Sequence, residues 1–125
     1  MRMLVVDDRE DNRFLVGDVV ENAGHTAVLT SNGREACELL DRGEKFDYVI
    51  SDNNMPEMTG VELLEWMRLD SRTVNVPFIL MSAGDPVPLK EICAKFGATF
   101  LPKPFSIFRL ASLFGASMEI TDLTI

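Results

Sequence analysis

Met3-Leu4-Val5-Val6-Asp7-Asp8 is an unbroken apolar run that ends on two adjacent carboxylates. Four apolar residues rich in Val and Leu read as a short strand buried on both sides. In an open parallel sheet, ligands bind just outside the carboxyl ends of the strands, which is where Asp7 and Asp8 fall. A second run, Tyr48-Val49-Ile50-Ser51-Asp52, also ends on an aspartate. If the two strands are neighbours, three acidic groups share one small volume. Two like charges about 4 Å apart repel by about 4 kcal/mol at an effective dielectric of about 20. Packing gives no reason for such a cluster, and a hard divalent cation relieves it.

Outward from these two runs, strand-like and helix-like segments alternate along the chain, the pattern of an α/β domain with a parallel sheet and helices on both faces. A helix over residues 10–23 carries Leu15, Val19 and Ala23 at helical spacing, with Val16 and Val20 beside them, and stops at Gly24. Residues 26–29 form a second strand. Asn32 caps a helix with Ala36, Leu39 and Leu40 on its apolar face, ending at Gly43. The third strand spans 46–51. Thr59 caps a helix with Val61, Leu64 and Met67 on one face, and the fourth strand spans 76–81. Asp85-Pro86 fits an N-cap and first helical position for a helix to Phe96, with Pro88 still in its first turn. Residues 99–101 make a brief fifth strand, and Ser106 caps a last helix through Phe114. Residues 1–115 thus read as one domain, and 116–125 as a tail or the start of a connection onward.

The 125 residues suffice for one hydrophobic core, and 46% hydrophobic with 26% charged residues is ordinary globular composition. No apolar run reaches the ~18 residues of a membrane span, and the first apolar stretch is too short for a secretory signal. The expected location is cytoplasmic, with no membrane partner. A net charge of −8 argues against nucleic-acid binding, which needs a basic surface. Cys37 and Cys93 read as a reduced cytosolic pair of buried thiols rather than a disulfide or metal site. His25, the only histidine, reads as a turn residue after Gly24. Phe14, Trp66, Phe78 and Phe105 read as packing, and the seven methionines as core filling.

Asp7-Asp8, Asp52 followed by Met55-Pro56 and Gly60, Ser82-Ala83, and Lys103-Pro104-Phe105 stand in one order, each at a strand end. From Met3 to about Phe114 the chain resembles the receiver domains of two-component response regulators. The resemblance implies a doubly wound five-stranded sheet in the order 2-1-3-4-5, the flavodoxin-like order. It implies a phosphorelay switch, a phosphoprotein that takes a phosphoryl group on Asp52 from the phosphohistidine of a sensor histidine kinase or phosphotransfer protein. Such a domain phosphorylates and dephosphorylates itself rather than turning over a substrate. The resemblance also implies a Mg²⁺ site, where Mn²⁺ would substitute. Asp8 and Asp52 supply carboxylates to it, Asn54 its backbone carbonyl, and Asp7 holds a metal-bound water. Lys103 sets its ammonium against a phosphoryl oxygen, Ser82 donates its hydroxyl, and the peptide before Pro104 is cis. Phe100, three residues before Lys103, stands either as the family's switch aromatic or as a plain core residue.

A downstream protein or output domain is the partner implied, and the domain is a monomer or a phosphorylation-linked dimer. The alternative is a receiver-like interaction module whose acidic pocket is not phosphorylated. A flavin-binding flavodoxin-like protein ranks below both, since two aspartates stand where a Ser/Thr-rich phosphate loop would be. Two departures from the family pattern stand out. Gly84-Asp85-Pro86-Val87-Pro88 is a proline-rich entry to the fourth helix, and the last helix is followed by a tail with no basic residue.

Overall fold

The computed structural model describes residues 1–114; the expected tail at 116–125 lies outside them. Five strands alternate with five helices: β1 (Arg2–Val6), α1 (Glu10–Asn22), β2 (Thr26–Thr30), α2 (Gly33–Asp41), β3 (Tyr48–Asp52), α3 (Gly60–Arg68), β4 (Phe78–Ser82), α4 (Pro86–Phe96), β5 (Thr99–Pro102) and α5 (Ile107–Leu113). All strand pairs are parallel, in the order β2-β1-β3-β4-β5. The order reverses between β1 and β3, so the loops after these two strands diverge and leave a crevice at their carboxyl ends.

Side chains alternate across each strand and sort into two cores. Leu4, Val6, Val49, Phe78 and Leu80 point to one face, under Ala36, Leu40, Leu63, Leu64, Met67 and Cys93. Met3, Val5, Ile50, Ile79, Met81 and Leu101 point to the other, under Val16, Val19, Val20, Leu110 and Ala111. The continuous apolar runs of β1 and β4 follow from burial on both faces.

The helix starts obey local chemistry. Asn32 accepts from Glu35 N, Asp85 from Val87 N and Ser106 from Arg109 N, and Thr59 with Glu62 forms a reciprocal capping box. Gly97 ends α4 in the left-handed region at φ 67°.

Several expectations shift. β3 starts at Tyr48 rather than Phe46, and β4 at Phe78 rather than Val76. On α1 the buried face is Val16, Gly17, Val19 and Val20, whereas Leu15 is 48% exposed and Phe14 51%. Gly17 faces the side chain of Leu29, close enough that a Cβ would lie 3.0 Å from it, so the helix seats on its small residue and turns Leu15 outward. On α3 Leu63 takes the fully buried place expected of Val61, which is only partly buried. Both cysteines are free; Cys93 is buried as expected, but Cys37 is only partly so.

Candidate functional site

Asp7 continues from β1 and is fully buried; its own N–H donates to Thr30 O at 3.1 Å on the neighbouring β2. Asp8, the next residue, turns out to the surface. Asp52 is the last residue of β3 and 3% exposed. The parallel register between Val6 and Ser51 sets these strand ends side by side. Carboxylate oxygens of Asp7, Asp8 and Asp52 consequently lie within 4.8 Å of one another.

Lys103 closes the cluster. Its N–H donates to Ser82 O at 2.9 Å, which fixes the chain as it leaves β5, and the Lys103–Pro104 peptide is cis. The ammonium Nζ lies 2.8 Å from Asp52 Oδ1. Asp52 Oδ1 is buried with this ion pair rather than a directed hydrogen bond against it, and Asp7 Oδ2 is buried with no donor. Asp7 Oδ1 accepts from Arg9 N at 3.0 Å. Burial raises the Asp7 carboxyl above its ordinary 3.8, with the charges of Asp52 and Asp8 adding to it; the Arg9 N–H and Lys103 oppose the rise. Three clustered carboxylates, two of them with a buried oxygen that no directed hydrogen bond satisfies, exceed the single ammonium that faces them, and this residual negative charge fits a hard, oxygen-seeking cation.

Ser82 ends β4 and is 1% exposed; its Oγ accepts from Gly84 N at 3.0 Å, leaving the hydroxyl proton to donate elsewhere. Asn54 is exposed, in the loop between β3 and α3. Phe100 is only partly buried in β5 and packs against the core under α2, α3 and α4. A groove of about 380 Å³ opens beside the cluster, lined by Asp7, Asn12, Leu15, Ala83, Lys103 and Phe105. Leu15, displaced from the core, forms part of its wall.

Two local features hold this edge. Gly60 opens α3 directly against β3: a Cβ there would lie 2.5 Å from Asp52 O and 2.6 Å from the Leu80 side chain. Glycine is required by close approach rather than by backbone angle. Asn53, outside the set of candidate residues, accepts at its Oδ1 from Val61 N on α3 at 3.1 Å. The Arg13 guanidinium, likewise outside that set, donates to Asp7 O at 2.9 Å. Spacing along the chain signals neither contact, since each joins two elements through a side chain.

A doubly wound five-stranded sheet with an acidic cluster and a lysine at its switch point defines a class, and comparison with known proteins agrees. Residues 3–114 match the model of the response regulator receiver domain, and the chain belongs to that family. It is 32% identical over 108 residues to a chemotaxis protein CheY homolog of Campylobacter jejuni, covering 85% of this chain and 83% of that protein. It is 39% identical over 107 residues to the sensory/regulatory protein RpfC of Xanthomonas campestris, 83% of this chain but 15% of RpfC. The solved structure of Vibrio cholerae chemotaxis protein CheY4 superposes with a TM-score of 0.81 at 32% identity, covering 90% of this chain and 94% of that one. The chain is therefore a receiver domain of the two-component signalling class, a phosphorylation-based switch. No helix among the described residues is long and apolar enough to cross a membrane.

Proposed function

We propose that Asp52 is the phospho-acceptor of a Mg²⁺-dependent switch, charged by the phosphohistidine of a sensor histidine kinase or phosphotransfer protein. The observation that carries this reading is the Asp52 carboxylate itself: buried, at a strand end, 2.8 Å from Lys103 Nζ and within one cluster with Asp7 and Asp8.

A carboxylate oxygen of Asp52 attacks phosphorus, the P–N bond to the donor imidazole breaks, and its electron pair stays on the ring nitrogen. An acyl phosphate results. Catalysis of such a transfer is mostly positioning and stabilisation of charge on the phosphoryl oxygens. Lys103 supplies an ammonium for one of them, and the Ser82 hydroxyl a donor for another. Asp8, Asp52 and the Asn54 carbonyl would hold Mg²⁺, with Asp7 engaging it through water. When bound, the ion neutralises charge that Lys103 alone does not. The output passes to a downstream protein or output domain.

The test is intact mass after incubation with a small phosphodonor. The expected result is one added phosphoryl group in Mg²⁺, and none with chelator or in Asp52→Asn. Full-stoichiometry labelling of Asp52→Asn would overturn the acceptor. Failure of the wild-type chain to label would favour an interaction module whose pocket is unused.

A further inference from the structure

Helix α3 begins with N–H groups that no intrahelical carbonyl can reach, and each must find a partner outside the helix. Glu62 N goes to Thr59 Oγ1 at 3.1 Å, the ordinary cap. Gly60 N goes to Asn53 O at 3.1 Å and Val61 N to Asn53 Oδ1 at 3.1 Å. Asn53 N donates in turn to Met81 O on β4, at 2.9 Å. One residue, next in sequence to Asp52, thus joins the end of β3 to β4 and takes two of the three N–H groups that open α3. The Thr59 cap is confined to the helix, while the Asn53 cap ties the helix to the site.

Between those ties runs the loop 54–59, closed at its base by Asn53 on one side and by Gly60 and Val61 on the other. Inside it Met58 N donates to Pro56 O at 2.7 Å, and Glu57 adopts φ 69°, uncommon for a residue with a side chain. Asn54 is the loop's first residue. Its carbonyl belongs to the next peptide, Asn54–Met55, one step along the chain from the Asn53–Asn54 peptide whose oxygen accepts from Gly60 N.

We infer that Asn53 is a positioning residue for the cation site: its side-chain cap on Val61 fixes the loop base and so the aim of the Asn54 carbonyl. The inference rests on the reading of Asp8, Asp52 and Asn54 as the Mg²⁺ ligands. Groups that orient a metal ligand from behind commonly carry about tenfold or more in affinity. Sequence context alone gives no hint of this, because any residue following Asp52 supplies the same backbone groups; only an acceptor side chain reaches Val61.

The test compares Asn53→Ala with Thr59→Ala, titrating each and the wild-type chain with Mg²⁺ alone by calorimetry, beside thermal midpoints and amide hydrogen exchange at Val61. Both substitutions remove a cap from α3, but only one touches the loop base. Asn53→Ala is expected to weaken Mg²⁺ binding by about tenfold and to lose protection at Val61. Thr59→Ala is expected to keep wild-type Mg²⁺ affinity within about twofold even where its midpoint falls as far, since it removes a cap and not a ligand support. Equal Mg²⁺ affinity in Asn53→Ala and wild type overturns the inference, as does equal weakening by the two variants. A wild-type chain that binds no Mg²⁺ overturns the cation reading itself, before any variant is compared.

Discussion

At Asp7 a carboxylate is buried with one oxygen accepting from Arg9 N and the other without a donor, and its pKa is raised, first by burial and then by Asp52 and Asp8. Above the ordinary 3.8 and below the raised folded value, the native state holds a proton that the unfolded chain has released. Stability therefore falls as pH rises through that window, and the loss persists above it. Asp70, held down to about 2 by Arg72, works the opposite way at lower pH. Asp7→Asn should stabilise the metal-free domain at neutral pH by about 1 kcal/mol, because an amide removes a buried charge and brings a donor beside Asp52. Urea midpoints in chelator across the acid range check this, and identical pH slopes for variant and wild type would sink it. The relief belongs to Asp7 rather than Asp8, which is exposed and screened by water. Lys103→Met makes the complementary case: it leaves Asp52 Oδ1 buried with no countercharge, so the metal-free domain should lose about 1–3 kcal/mol. The same denaturation series reads it, and an unchanged midpoint would mean the pair is already solvated.

Helix α3 shows how one element is held in register with the site. Gly60 lies where a methyl group would meet Asp52 O at 2.5 Å, and a backbone carbonyl in a central strand cannot retreat. Gly60→Ala is expected to cost about 1–3 kcal/mol, the range for overpacking, read as a drop in thermal midpoint. A neutral outcome would show that α3 slides freely against β3. The elements were legible in the sequence at their carboxyl ends more than at their amino ends. Asp7 and Asp52 mark where a two-sided apolar environment stops, a change visible in one chain. The starts of β3 and β4 depend on pairing: Tyr48 joins because Met3 is opposite it, and Phe78 because Val49 is. Local sequence does not contain its partner, so Phe46 and Val76 read as strand. On α1 the expected Val16, Val19 and Val20 are buried, and Leu15 alone departs, for a related reason. Leu15 carries more apolar surface than Gly17, but Gly17 allows the close seat on Leu29, and neighbours rather than hydrophobicity chose the face. Within the site, residue types that carry charge were legible from their order along the chain. The Asn53 contact was not, since it joins two elements through a side chain common in turns.

Taken whole, the molecule divides its core between two faces of one sheet, and the site sits on the edge where both faces end. A ligand that binds only the native arrangement of Asp8, Asp52 and Asn54 stabilises everything packed behind it. At about 100 times the dissociation constant, Mg²⁺ should add about 2.7 kcal/mol of stability, seen as a rise in thermal midpoint reversed by chelator. A midpoint insensitive to Mg²⁺ would deny a folded-state cation site. The route from the site to the opposite edge of the sheet runs through β4 and β5. Ser82 O accepts from Lys103 N at 2.9 Å, and Leu80, two residues earlier, pairs with Phe100. Phe100 is only partly buried and packs beside the core that contains Cys93 and Leu89 of α4. Coupling to the site requires the Phe100 ring to be a two-state element, exchanging between its partly buried place and a second one. A phosphoryl mimic that draws Ser82 Oγ away from Gly84 N should therefore shift ring resonances of Phe100 together with the Gly84 amide, along one exchange process. Chemical-shift changes confined to Asp52, Ser82 and Lys103, with Phe100 unmoved at saturation, would leave Phe100 as a core residue and end the coupling.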